Sequence, residues 1–166
     1  MNLLEKVKTL TKYKAWADEL TFSAVSELPK GEATKKRQTR FSTMVHTLNH
    51  VYVIDDVFKA HILGKSHSYI ARNTESHPSL DHLWELQRGM DSWYVQYAEN
   101  TTEETLSEIV KFQFIGGGEG SMSRVDMIIH VVNHSTYHRG FVGDLMYQVP
   151  ATPPANDYPV FLRDFC

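Results

Sequence analysis

The chain has 166 residues, a net charge of −3, 42% apolar and 11% aromatic residues, and one cysteine, Cys166 at its last position. That length can bury a core within one globular domain, taken as residues 1–166, and the charge leaves no electrostatic footprint for nucleic acid. No internal disulfide is possible, the first residues are too polar for a signal peptide, and no window approaches ~18 apolar residues, so a cytoplasmic chain with no membrane span is expected.

Residues 3–28 read as a first helix, with Leu3, Val7, Leu10, Trp16, Leu20 and Val25 as its apolar positions and Pro29-Lys30-Gly31 as its stop. Trp16 is assigned to the core. The short basic run Lys35-Lys36-Arg37 through Arg40 reads as a solvated turn. Residues 42–64 read as a second helix, capped by Ser42 and stopped at Gly64. Met44, Val51, Ile54, Val57 and Phe58 set its core direction. His50 points that way and His46 points away. His61 shares the face of His50 but lies about 16 Å further along the axis. Asp55 falls on the same apolar side, where a buried carboxylate needs a partner. Arg139, in the apolar arc of the last helix, is the expected one.

Residues 65–79 form a connection. A third helix begins at Ser79 or Asp81 and runs to about Glu99, with Leu83, Leu86, Met90 and Trp93 inward and His82 exposed in the first turn. From 106 to 115 the period changes to two, since Val110, Phe112 and Phe114 alternate with Lys111 and Gln113, which predicts a strand. Gly116-Gly-Gly-Glu-Gly120 lacks the Lys-Ser/Thr of a phosphate-binding loop and is read as a hairpin turn. Ser123, with Asp126 three residues on, resembles a capping box and opens a fourth helix over 123–148. The tail from Ala151 is broken by prolines, but Tyr158, Val160, Phe161 and Leu162 predict that it packs back on the body. The expected fold is all-α: a four-helix bundle with a small β-hairpin between helices 3 and 4, in which the short turn after helix 1 makes helices 1 and 2 antiparallel neighbours.

The fourth helix carries His130, His134 and His138 at four-residue spacing. Each such step returns to nearly the same face, roughly 6 Å further along. On the helical wheel His138 lies inside the apolar arc of Val125, Ile128, Val132, Val142 and Met146. His134 lies at its edge, and His130 is turned towards the polar side. His134 and His138 are therefore the better metal-binding pair, His50 is the natural third ligand, and His46 and His130 are left out.

Several of these stretches together resemble the DinB/YfiT-like superfamily. His50-Val-Tyr-Val-Ile-Asp55 with Phe58 is similar to its second-helix pattern. His134-Ser-Thr-Tyr-His138-Arg139-Gly140 is similar to its His-x-x-x-His-Arg-Gly signature. The loop from Arg72-Asn-Thr through His77-Pro-Ser, the glycine-rich hairpin and the Asp157-Tyr-Pro tail also resemble its members. Phe141 departs from the pattern, because many members carry glutamine there. The resemblance implies an up-down-down-up bundle whose metal ligands are His50, His134 and His138. It also implies an enzyme that uses the ion to activate a low-molecular-weight thiol or a water, as an S-transferase or hydrolase. The alternative is a non-catalytic metal-binding stress-response protein.

Three imidazoles leave one coordination position open, the layout of a catalytic site. One divalent transition ion is expected; zinc, nickel, iron and copper all suit nitrogen ligands. No Glu-x-x-His occurs for a ferritin-like di-iron site, and no His-Glu-x-x-His for a metalloprotease. With ordinary imidazole pKa values, metal affinity should fall between about pH 6 and 5. The expected partners are a small-molecule substrate or thiol cosubstrate and a second copy of the chain, with no nucleic acid and no membrane. The homodimer rests on Tyr13, Trp16 and Phe22, which do not share one stripe, and on Val45, Tyr52, Val53 and Leu63, which ring helix 2 away from its core direction. A hairpin and tail folded over the same faces would remove that need.

Overall fold

The structure is a computed structural model describing residues 2–165; Cys166 lies outside the described residues. Four long helices carry the fold: α1 (Leu3–Ser26), α2 (Met44–Ile62), α3 (Leu80–Asn100) and α5 (Arg124–Met146). A short helix α4 (Glu103–Ser107) precedes the hairpin of β1 (Ile109–Gln113) and β2 (Glu119–Ser123), and α6 (Tyr158–Phe165) closes the chain. No helix of the described residues is long and apolar enough to cross a membrane.

Local chemistry sets the boundaries. Asn2, Ser79 and Ser123 each accept a backbone N–H three residues on, which satisfies donors the helix itself leaves free. The cap of α2 is Thr43, not Ser42. Ser42 sits at φ 65°, in the left-handed region, and so turns the chain, while Thr43 takes the extended conformation a cap requires. The strand starts later than its alternation suggests, because Thr102 caps α4 and Leu106 is buried within it. In the hairpin Phe112 pairs with Gly120. A Cβ at Gly120 would stand 2.5 Å from the Phe112 ring, so the ring occupies space that only glycine leaves.

The helix directions follow from side-chain pairings. Lys14 and Glu19 of α1 meet Asp91 and Arg88 of α3, so these two run antiparallel. Tyr94 of α3 donates to the Asp55 carbonyl of α2, and Gln87 donates to its carboxylate; Leu83 shares one end of the core with Met44 and Leu48, and Met90 and Ala98 share the other with Val57 and Ile62, so α2 and α3 run parallel. His50 of α2 meets His134, while Arg124 donates to the Ile62 carbonyl, so α5 runs antiparallel to α2. The order is up-down-down-up. α1 packs on α3 and α5 and lies diagonally across from α2. Helices 1 and 2 are thus not the neighbours expected. The chain over 27–43, with a 3-10 turn at Glu32–Thr34, is long enough to cross the end of the bundle.

The core is apolar at both ends and polar at its waist. Val7, Val53, Val57, Met90, Tyr94 and Met127 fill one end, and Phe22, Val25, Met44, Leu83, Val142 and Leu145 the other. The buried stripe of α1 is Val7, Thr11, Lys14, Asp18, Thr21 and Val25, a three-four alternation of the coiled-coil type. Its polar centre was missed in the apolar pattern. Leu3 is exposed, and Leu10, Trp16 and Leu20 lie on the flank. Tyr13 and Trp16 are covered instead by the tail. Tyr158 and Phe161 lie edge-on to Tyr13 at 5.1 and 5.8 Å, and Phe161 is 5.5 Å from Trp16. Phe22, Val45 and Val53 are buried within the chain, and Tyr52 is half-buried.

Candidate metal centre

The histidine residues converge as their wheel positions predict. His50 comes from α2, and His134 and His138 come from successive turns of α5. Their ring centroids lie 4.8 Å (His50–His134), 4.6 Å (His50–His138) and 4.4 Å (His134–His138) apart. The Nε2 atoms of His50 and His134 face each other at 3.0 Å. One donor nitrogen from each of the three falls within 4.8 Å of the others. A tetrahedral ion bound at about 2.0–2.1 Å holds its nitrogens roughly 3.3 Å apart, so the cluster is of the right size for one ion.

The surroundings fix the rings. The Arg72 carbonyl lies 2.5 Å from His50 Nδ1 and accepts its proton, which leaves the Nε2 lone pair free to face the cluster. Phe41 stacks on the His50 ring at 4.4 Å. His134 and His138 each have a buried Nδ1 with no hydrogen-bond partner in the protein. Burial lowers the pKa of all three rings. His134 falls far below its usual value, with His138 and His50 adding to the shift. His138 is pushed down to about 4, with His50 and Arg40 adding to burial, and His50 is lowered as well. All three are neutral at pH 7 and present lone pairs. Proton competition for His134 and His138 is thereby moved below the pH 6 to 5 window expected from ordinary imidazoles.

His46 and His130 stand outside the cluster. His46 Nε2 bonds the Thr74 carbonyl at 3.0 Å, and His130 packs on Phe58 at 4.3 Å. His61 is stacked on Phe112 at 4.4 Å.

Asp55 and Arg139 do not pair. Arg139 Nη1 donates to Asp18 (2.6 Å) and to Ser135 (2.8 Å), while Asp55 faces Lys14 Nζ at 2.7 Å and accepts from Gln87. Lys14 also reaches Asp18 at 2.8 Å and Asp91 at 2.5 Å. The waist is therefore one buried network joining α1, α2, α3 and α5. Two cations face three carboxylates, so neutrality needs one proton. Burial raises Asp55 to about 6 and Asp91 to about 7, against the pull of Lys14. At Asp18, Lys14 and Arg139 together outweigh burial and hold the carboxyl low. Burial alone would depress the Lys14 ammonium, but the three carboxylates hold it well above its usual value. Lys14, Asp18, Gln87 and Asp91 were missed. The signal was present in the Lys14/Asp18 pair four residues apart, inside the stripe from Val7 to Val25.

The network sets the rotation of α5. Ser135 donates to Asp18 at 2.8 Å, alongside the Arg139 bond. Both side chains lie one residue after a cluster histidine. Holding them against α1 turns His134 and His138 towards α2.

A cavity of about 760 Å³ opens beside the three rings. Phe41, Phe58, Phe114 and Ile54 give it apolar walls, and Arg40, Arg72, Asn73 and Tyr137 are its polar groups. Asp55 belongs to the waist and does not line it.

Comparison with known proteins agrees with this fold. The family model described as "DinB family" matches residues 3–164. A curated relative, "Protein DinB" from Bacillus subtilis (strain 168), is 26% identical over 160 residues, covering 92% of this chain and 91% of that protein. The crystal structure of a DinB-like protein from Bacillus cereus ATCC 10987 superposes with a TM-score of 0.64 at 18% identity, over 84% of this chain and 89% of that one; at that identity the likeness shows the fold.

Proposed function

The chain belongs to the DinB family, and from that premise we propose that His50, His134 and His138 bind one divalent transition-metal ion in an enzyme that transfers or attacks through a low-molecular-weight thiol. The observation that carries this reading is the three neutral imidazoles on the wall of a roomy cavity. The Nε2 atoms of His50 and His134 face each other at 3.0 Å with His138 beside them, a convergence of nitrogens that fits an ion. An ion held there would lower the pKa of a bound thiol or water towards neutrality.

The protein's own contribution is placement. Arg72 fixes the His50 tautomer through its carbonyl, Asp18 turns α5, and the aromatic side chains give an apolar wall against which a thiol could lie. No carboxylate lines the cavity among the described residues. Thiol activation needs no base beyond the ion, whereas hydrolysis usually employs one; this favours the S-transferase over the hydrolase. The alternative of a metal-binding protein without activity would be favoured by a blocked fourth position, whereas all three histidines line an open cavity.

Elemental analysis of the purified protein should find one metal per chain. His134→Ala and His138→Ala should each remove it, and His130→Ala should not. Thiol conjugation should be present in the metal-loaded protein and lost on chelation. Metal that survives His134→Ala but not His130→Ala would overturn the ligand assignment.

A homodimer remains part of the proposal on changed grounds. The aromatic face of α1 is covered by α6, so a dimer would use apolar residues left outside, such as Leu63, Tyr137 and Phe141. Light scattering at micromolar concentration should give twice the 19.1 kDa chain mass; the chain mass itself would exclude the dimer.

A further inference from the structure

Two guanidinium groups border the histidine cavity, and no carboxylate answers them. Arg40 and Arg72 line it with the three cluster histidines. Neither has an acidic partner among the described residues, whereas Arg37, Arg88, Arg124, Arg139 and Arg163 are each paired with one. Both are tied to the site. Arg40 lies 5.6 Å over the Phe41 ring, which stacks on His50. Arg72 follows from its carbonyl, held by His50 Nδ1. The remaining wall is mostly apolar, with Ile54, Val57, Phe58, Phe114 and Ile115. An ion on the three histidines would add further positive charge. A cavity of this kind selects a ligand with an apolar body and an anionic head, because an arginine fork matches a carboxylate and apolar walls do not hydrate one.

We propose that Arg40 and Arg72 form a carboxylate-binding subsite, and that the substrate or cosubstrate reaching the histidine cluster is an apolar carboxylate. The substrate role rests on the metal-centre reading above; the subsite itself does not. The two guanidiniums hold the carboxylate at the cavity mouth, and the body of the ligand lies along the aromatic wall towards the three rings.

The test compares 3-phenylpropionate with 3-phenylpropionamide, which share shape and differ in charge. Binding is followed by ligand-observed NMR at low salt, with the protein metal-loaded and again after chelation. The acid should bind about tenfold better than the amide in both forms, and the preference should shrink as ionic strength rises. Arg40→Gln and Arg72→Gln should each reduce it while metal content stays unchanged, since both side chains are exposed and the Arg72 carbonyl is kept. A preference that persists in both variants but disappears on chelation would place the carboxylate on the ion and overturn the subsite. Equal binding of acid and amide, or no binding of either at millimolar concentration, would overturn it too. If the protein binds no metal yet prefers the acid through the arginines, the subsite stands and the metal reading fails.

Discussion

Replacing Lys14 by methionine tests the waist network directly. The change keeps most of the side-chain volume and removes only the ammonium. In the native protein that ammonium lies 2.8, 2.7 and 2.5 Å from Asp18, Asp55 and Asp91 and is fully buried. Arg139 still serves Asp18, but Asp55 and Asp91 keep only Gln87. Removing one partner of a buried ionic group costs about 3–5 kcal/mol, because the remaining charge must stay desolvated or take up a proton. In a chain of this length that lowers Tm by roughly 6–20 °C, at about 2–4 °C per kcal/mol. Urea unfolding at pH 8 is the assay. The loss should be smaller at pH 5, where Asp55 and Asp91, already raised to about 6 and 7, are protonated. In Lys14→Met the additional change Asp91→Asn should recover part of the stability, a coupling that separate effects would not give. A loss under about 1 kcal/mol at pH 8 would refute the network as a set of mutually dependent charges.

Three further outcomes follow. Arg139→Met should cost about 3 kcal/mol through Asp18 and should also lower metal occupancy, read by elemental analysis, because α5 loses a bond that sets its rotation. The metal-free protein should lose stability as pH falls from about 6.5 towards 4. His61 and His138 are held down to about 4 in the folded chain, so the unfolded chain binds more protons across that window and stability rises with pH; five lowered histidines outnumber the two raised aspartates that act in the opposite sense, and urea midpoints at pH 7 and 5 check it. Gly120→Val should destabilise the hairpin by about 1–3 kcal/mol, since its Cβ would strike Phe112, and hydrogen exchange of β1 and β2 would report the loss first.

The sequence by itself determined the four long helices, the hairpin and the three-histidine cluster. Each is a local or periodic signal: a cap at Ser79 or Ser123, an alternation around Phe112, a four-residue repeat from His134 to His138. A helix fixes which residues share a face without reference to anything else, so His50, His134 and His138 could be chosen before their helices were placed. What faces what was decided only by the tertiary structure. Asp55 and Arg139 were both recognised as buried charges needing partners, yet each found a different one, because α1 lies beside α5 and diagonal to α2. The stripe of α1 was misplaced for a related reason. Lys14 and Asp18 look like surface residues in an apolar pattern, and their burial is tolerable only when Asp55, Asp91 and Arg139 arrive from three other helices. The dimer expectation turned on the same limit. Apolar residues on two faces of a helix say that both faces are covered, and here α6, folding over Tyr13 and Trp16, covers one of them within the chain.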